Sequence, residues 1–151
     1  MENKTIKPEN PARAFLRRYR MLTIRQDALT RAIREAHDRA MSCTVRLKPI
    51  HVTGGGGAYD RIAEDVATMT DAEGKLRETL AQVNAALSDI LAAIDAVQDE
   101  AQKTVLTLRY INGFEWPDIQ AEMGYERTQA YVIHGWALQQ VKRWMINRGM
   151  L

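Results

Sequence analysis

Between positions 59 and 97, apolar residues recur at intervals that alternate between three and four residues, and this spacing limits the possible folds more than any other part of the sequence. The positions that follow this spacing are Tyr59, Ile62, Val66, Met69, Glu73, Leu76, Leu80, Val83, Leu87, Ile90, Ile94 and Val97. Only Glu73 among them is polar. The spacing predicts one long α-helix with an apolar seam along one side. Because such a seam is unfavourable in water, the helix is expected to pack against a partner.

A shorter seam earlier in the chain is the nearest candidate for that partner. Asn10 and Pro11 suit the cap and the first turn of a helix. The same spacing then connects Phe15, Tyr19, Leu22, Gln26, Leu29, Ile33, Ala36 and Ala40. The opposite face carries Arg13, Arg17, Arg18, Arg20, Arg25, Arg31 and Arg34. The two seams together predict an all-α, coiled-coil-like antiparallel hairpin over residues 1–98.

Residues 42–58 interrupt the helical spacing and are predicted to form the loop of this hairpin. Pro49 and the run Gly54–Gly57 disfavour a helix. No Gly-Lys-Ser or Gly-Lys-Thr sequence ends the run, which argues against a phosphate-binding loop. The first seam is shorter and richer in alanine than the second, so part of the second is predicted to stay uncovered. Self-association would bury that part, and we expect a homo-oligomer, with a dimer favoured.

Charge is unevenly distributed although the net charge is only +2. Residues 1–50 carry 12 Lys and Arg against 5 Asp and Glu, residues 51–98 carry 3 against 8, and residues 99–151 carry 6 against 6. The first two blocks are complementary, which suits two helices lying side by side. The single cysteine, Cys43, excludes an intrachain disulfide and fits a reducing, cytoplasmic location. No apolar run approaches the length of a membrane span, so no membrane association is expected.

Residues 99–151 are predicted to form a separate domain of three helices. Asp99 followed by Gln102 has the spacing of a capping box, and Asn112-Gly113 is a typical end for the helix that begins there. A short helix is predicted from Trp116 to Met123. A third helix is predicted to run from about residue 127 to residue 145.

The last two of these helices have the spacing of a helix-turn-helix. Gly124 lies at the turn, where a left-handed backbone conformation favours glycine. The motif also needs apolar side chains at fixed positions, and the chain offers Ile119, Met123, Tyr125, Ala130 and Ile133. Because the turn glycine and all the required apolar residues occur at the right spacing, the sequence predicts a helix-turn-helix.

Candidate DNA contacts follow from the helical period once Ala130 and Ile133 point inward. The candidate base-contacting residues are Arg127, Thr128, Gln129, Tyr131 and Val132. The start of this helix enters the major groove in the motif, where Arg pairs with guanine and Gln with adenine. The candidate phosphate-contacting residues are Arg109, Lys142, Arg143 and Arg148.

The segment at 105–119, VLTLRYINGFEWPDI, resembles region 4 of sigma-70-type transcription factors, as does its continuation through Gly124 and Ala137-Leu138. The whole chain is similar to a family of small phage and prophage proteins that join a helical hairpin to a region 4-like end. The resemblance implies regulation of phage transcription through contacts with promoter DNA, RNA polymerase or both.

Two other functions fit the same sequence. The neutral third block and the uncovered seam favour a protein–protein adaptor of the transcription machinery. A helix-turn-helix joined to oligomerising helices also fits the DNA-recognition subunit of a phage packaging motor, of the small-terminase kind, which would form a ring of eight or more chains. No arrangement of nucleophile and base is present, so we predict that the protein is not an enzyme and needs no cofactor.

The aromatic and histidine residues of the last domain are predicted to be mainly structural. Tyr110, Phe114 and Trp116 are expected in the core, whereas Trp136 is expected to project away from it. His134 is expected to be partly buried and hydrogen-bonded. The three histidines, His37, His51 and His134, lack the spacing of metal ligands, so no metal site is expected.

Overall fold

The computed structural model describes residues 8–46 and 57–151, and within these ranges it contains helices and no β-strand. The helices are α1 (Pro11–Arg46), α2 (Gly57–Asp95), α3 (Glu100–Leu106), α4 (Trp116–Met123) and α5 (Arg127–Asn147). A π-helical turn, Thr107–Ile111, follows α3 directly. The predicted all-α fold, a long helical hairpin followed by a helical domain, is confirmed.

Both long helices extend into the predicted loop, and α2 ends at Asp95, two residues before the predicted end of its seam. Asn10 caps α1, because its Oδ1 accepts a hydrogen bond from the Ala12 amide at 3.0 Å. Residues 42–46 and 57–58, predicted as loop, are helical. The stretch 42–46 contains no glycine or proline, so nothing in it ends the helix. Pro49 and the first three glycines of the predicted loop lie outside the described residues.

The buried face of α2 differs in part from the predicted seam. From Leu80 onward, at alternate seam positions, the residue one place earlier in the sequence is buried. Val66 and Leu80 were predicted to point inward, but they are 52% and 38% exposed. Thr79, next to Leu80, is instead 2% exposed, and Ala86 and Ala93 repeat its position at intervals of seven residues and are also buried. Small side chains allow helices to approach more closely. Small residues therefore point inward at these three positions, while Val83, Ile90 and Ile94 of the predicted seam are buried as expected.

The described residues pack as two compact units, one containing residues 8–21 together with 84–151, and the other residues 22–46 and 57–83. In the first unit a single core cluster draws on α1, α2, α5 and the segment from α3 to the π-helical turn. Its buried members are Ala12, Leu16, Ile90, Ala93, Ile94, Val97, Leu106, Tyr110, Ala137, Leu138, Val141 and Met145. The core of the C-terminal helices therefore includes the beginning of α1 and the end of α2.

The segment between α3 and α4 departs from the single helix that the sequence predicts. Asp99 Oδ1 accepts from the Gln102 amide at 2.8 Å, but Gln102 Oε1 is buried without a hydrogen-bond partner, so the capping box forms in one direction only. The helix then widens, with the Asn112 amide donating to the Thr107 carbonyl at 3.0 Å. Gly113, at φ +73°, ends it as predicted.

Candidate nucleic-acid interface

The corner between α4 and α5 has the predicted helix-turn-helix form. Gly124 adopts φ +65° and ψ +29°, and its amide donates to the Gln120 carbonyl. Glu126 is extended and immediately precedes α5. A second core cluster holds the corner together, with Val105, Ile119 and Ile133 buried and Ala101, Leu108, Phe114, Trp116, Met123 and Tyr125 packed around them. The chain therefore turns sharply here and does not continue as one helix.

All five candidate base-contacting residues are exposed at the beginning of α5. Arg127, Thr128, Gln129, Tyr131 and Val132 lie on the solvent side, whereas Ala130 and Ile133, between and after them, are buried. The inward and outward positions of this helix are thus those that its period predicts. The arrangement leaves two turns of α5 free to contact a partner.

An aromatic stack, formed by Tyr131, Trp116, His134 and Tyr110, runs from the exposed start of α5 into the core. The Tyr131 and Trp116 ring centroids are 4.4 Å apart, and the Trp116 and His134 centroids are 4.9 Å apart in an edge-on arrangement. Tyr110 Oη and His134 Nε2 share a hydrogen bond of 2.8 Å. The core positions of Tyr110 and Trp116 and the buried, hydrogen-bonded state of His134 confirm the predictions.

Burial sets the protonation of the inner end of the stack. Desolvation, followed by the nearby cations Arg13 and Arg109, lowers the pKa of His134 to about 4. Burial raises the pKa of Tyr110, against the opposing effect of the same two arginines. Both groups are therefore neutral near pH 7, and the hydrogen bond between them joins two uncharged side chains.

Arg109, a candidate phosphate contact, uses one of its guanidinium nitrogens for hydrogen bonds within the protein. Its Nη1 donates to the Phe114 carbonyl at 2.8 Å and to Glu115 Oε2 at 3.0 Å, and its Cζ lies 5.3 Å from the centroid of Trp116. The hydrogen bond and the charge of Arg109 lower the pKa of Glu115. Arg109 therefore fixes the segment that leads into α4.

Arg20 reinforces the same segment from α1. Its Nη1 donates to the Gly113 carbonyl at 2.8 Å, and its Nη2 lies 3.5 Å from Glu115 Oε1. Glycine at position 113 is favoured by its backbone angle, φ +73°; a Cβ there would come within 2.9 Å of Arg20 Nη1 and would displace only the end of that flexible side chain. Arg20 belongs to the arginine face of the first helix, and its contact with Gly113 could not be predicted from the sequence, because nothing local connects positions 20 and 113.

The other three candidate phosphate-contacting residues are exposed. Lys142 and Arg143 lie on the last third of α5, and Arg148 follows its end. The Arg148 Cζ lies 4.8 Å from the centroid of Trp144. Trp136 is 55% exposed, as predicted, on the outward side of the same helix. The outer side of α5 thus carries cations and the large aromatic side chains of Tyr131 and Trp136.

Comparison with known proteins finds no matching family model, curated protein or solved structure. The resemblance to sigma region 4 and to small phage regulators therefore stays a prediction. Within residues 8–46 and 57–151, no cluster of three or more His, Cys, Asp or Glu side chains has a metal-binding arrangement. None of the helices described in these ranges combines the length and apolarity needed to cross a membrane.

Proposed function

We propose that this protein binds double-stranded DNA through α4 and α5 and regulates transcription. The observation that carries the proposal is the exposed start of α5, where five side chains suited to reading base edges follow a left-handed turn. Ala130 and Ile133 anchor that helix from its other side. An anchored helix with a free polar face is the part of a helix-turn-helix that enters the major groove.

The side chains divide into two chemical groups in this proposal. Arg127 donates two hydrogen bonds to guanine and Gln129 pairs with adenine, while Thr128 and Val132 contact thymine methyl groups. Lys142, Arg143 and Arg148 contact phosphates and position the protein without reading sequence. Arg109 supports α4 through Nη1, which donates to the Phe114 carbonyl and to Glu115 Oε2, and it stays a candidate phosphate contact.

Two α5 variants are expected to weaken binding in different ways. Arg127→Ala is expected to reduce the preference for a selected site over a scrambled duplex by about 1–3 kcal/mol. Lys142→Ala is expected to weaken all duplexes similarly and to lower the slope of log affinity against log salt by about one. The measurement is fluorescence anisotropy of labelled duplexes between about 50 and 200 mM salt, the range over which phosphate contacts weaken strongly.

The matched control is Gln139→Ala, an exposed and uncharged position on the same helix. This variant is expected to keep both the affinity and the salt slope. The duplexes would be selected from a random library, so that the target need not be known beforehand. Failure of the wild-type protein to retain any duplex at low salt would contradict the proposal.

A second candidate function is an adaptor that binds RNA polymerase or another protein of the transcription machinery. The observation that favours it is the apolar content of the outer side of α5, where Val132, Trp136 and Ile146 are all exposed. Exposed aromatic side chains are enriched at protein–protein interfaces. Capture of purified polymerase by the wild type but not by Trp136→Ser, with no duplex binding by either, would favour the adaptor over the DNA-binding function.

We further propose that the chain forms a homodimer through its hairpin. Among the described residues of 22–46 and 57–83, the exposed large apolar side chains are Ile24, Met41, Val66 and Leu80. Sedimentation equilibrium is expected to give twice the chain mass of 17.2 kDa, and Leu80→Glu is expected to shift the protein toward the monomer. Glu78→Lys, at an exposed position of the same helix and about 160° around it from Leu80, is the control. A monomeric wild type would contradict the dimer, and a ring of eight or more chains would favour the packaging subunit.

A further inference from the structure

We propose that Tyr131 is a positioning residue, which with Trp116 holds Arg127 ready for base contact and does not itself read a base. The inference rests on the proposed DNA-binding function and assigns a specific role to one residue of its interface. It concerns the outer end of the aromatic stack, where the exposed Arg127 contacts the ring of Tyr131 and that ring packs on Trp116. Position 131 had been predicted only as a base contact.

The geometry links the three side chains in order. The Arg127 Cζ lies 5.6 Å from the Tyr131 centroid, within the range of a cation–π contact. The Tyr131 ring lies 4.4 Å from that of Trp116, at an interplanar angle of 36°. Arg127 and Tyr131 are four residues apart on α5 and therefore lie on the same side of the helix. The Arg127 guanidinium is thus held next to the Tyr131 ring, and that ring is itself held by its contact with Trp116.

Trp116 provides a fixed support for this arrangement. It is the first residue of α4, and its ring contacts His134 on one edge and the Arg109 guanidinium at 5.3 Å. Arg109 is in turn tied to the Phe114 carbonyl and to Glu115. An unbroken series of contacts therefore leads from the core to Arg127.

Holding Arg127 in place has a direct consequence for recognition. A free arginine side chain loses much rotational freedom when it forms two hydrogen bonds to one base, and that loss weakens binding. A guanidinium already held by a ring loses less. The ring of Tyr131 performs this role, whereas a base contact by Tyr131 would use its hydroxyl group. Phenylalanine and leucine at position 131 therefore separate the two roles.

The test compares Tyr131→Phe, Tyr131→Leu, Arg127→Ala and the double variant Arg127→Ala with Tyr131→Leu. Discrimination between the selected and the scrambled duplex is expected to stay at the wild-type level in Tyr131→Phe. It is expected to fall about two- to fivefold in Tyr131→Leu, the size of an exposed cation–π contact. The slope of log affinity against log salt is expected to be unchanged. In a protein that already carries Arg127→Ala, Tyr131→Leu is expected to cause no further loss of discrimination.

A measurement on the free protein reports the same contact without DNA. Ring currents from Tyr131 are expected to shift the Arg127 side-chain proton resonances upfield in the wild type and in Tyr131→Phe, and the shift is expected to vanish in Tyr131→Leu. Because Tyr131 is 39% exposed, these variants are expected to remain folded, and the unfolding midpoint of each verifies this.

The outcomes that overturn the inference are distinct from failure of the proposed function. If the wild type binds duplexes but Tyr131→Phe loses as much discrimination as Tyr131→Leu, the hydroxyl group reads DNA and the inference is wrong. The inference is also wrong if Tyr131→Leu discriminates like the wild type, or lowers discrimination further when Arg127 is already alanine. Absence of duplex binding by the wild type overturns the proposed function and, with it, the role assigned to Tyr131.

Discussion

Leu16→Ala is expected to lower the free energy of unfolding of the C-terminal helices by about 2–5 kcal/mol. Leu16 is completely buried in the cluster that also contains Ile90, Leu106 and Val141. The substitution removes buried methyl groups and leaves a cavity among side chains of α2, α3 and α5. A residue of the first helix is therefore expected to determine the stability of helices that begin more than eighty positions later in the sequence.

Tryptophan fluorescence during urea unfolding provides the measurement, because Trp116, Trp136 and Trp144 are the only tryptophans of the chain and all lie in α4 or α5. The control is Met21→Ala, on the same helix and exposed, which is expected to change the free energy of unfolding by less than about 0.5 kcal/mol. An unfolding curve for Leu16→Ala that coincides with that of Met21→Ala would show that the start of α1 does not belong to this core.

Stability is expected to fall as the pH is lowered from about 6.5 toward 4, because of His134. The folded state holds the pKa of this group at about 4, below its ordinary value of 6.5, so the unfolded state binds the proton first. The stability that comes from burying neutral His134 is fully present above pH 6.5, and it is lost as the pH falls to the folded-state pKa of about 4. A shift of this size corresponds to about 3 kcal/mol.

The measurement is the urea midpoint at several pH values between 5 and 7, a range chosen to lie above the ordinary pKa of carboxyl groups. His134→Gln is expected to remove most of the pH dependence in this interval. His37→Gln alters an exposed histidine and is expected to retain it. Equal slopes for the wild type and for His134→Gln would mean that burial of His134 does not control stability.

Local signals in the sequence predicted the elements of the fold well. The Asn10 cap, the glycines at positions 113 and 124, and the bounds of α4 are all as expected, because each depends on residues within one or two turns of helix. The exposed face of α5 also follows from local periodicity, since the buried Ala130 and Ile133 fix the rotation of the helix.

Features that depend on distant parts of the chain could not be predicted in this way. The spacing in α2 marks apolar residues but does not show whether Thr79 or Leu80 faces inward, since that depends on how closely another helix approaches. The contact of Arg109 with the Phe114 carbonyl follows a π-helical turn, which regular helical periodicity does not predict. Likewise, no periodicity places Leu16 in the core of the C-terminal helices.

The most direct test of DNA binding by α5 is to follow backbone amide resonances of the isotope-labelled protein while a selected duplex is added. The largest changes are expected at residues 127–132 and near Lys142 and Arg143. Buried residues of the core, such as Leu106, are expected to change little. Large changes confined to residues 22–83, or no changes on addition of saturating duplex, would contradict the assignment of α5 as the DNA-reading helix.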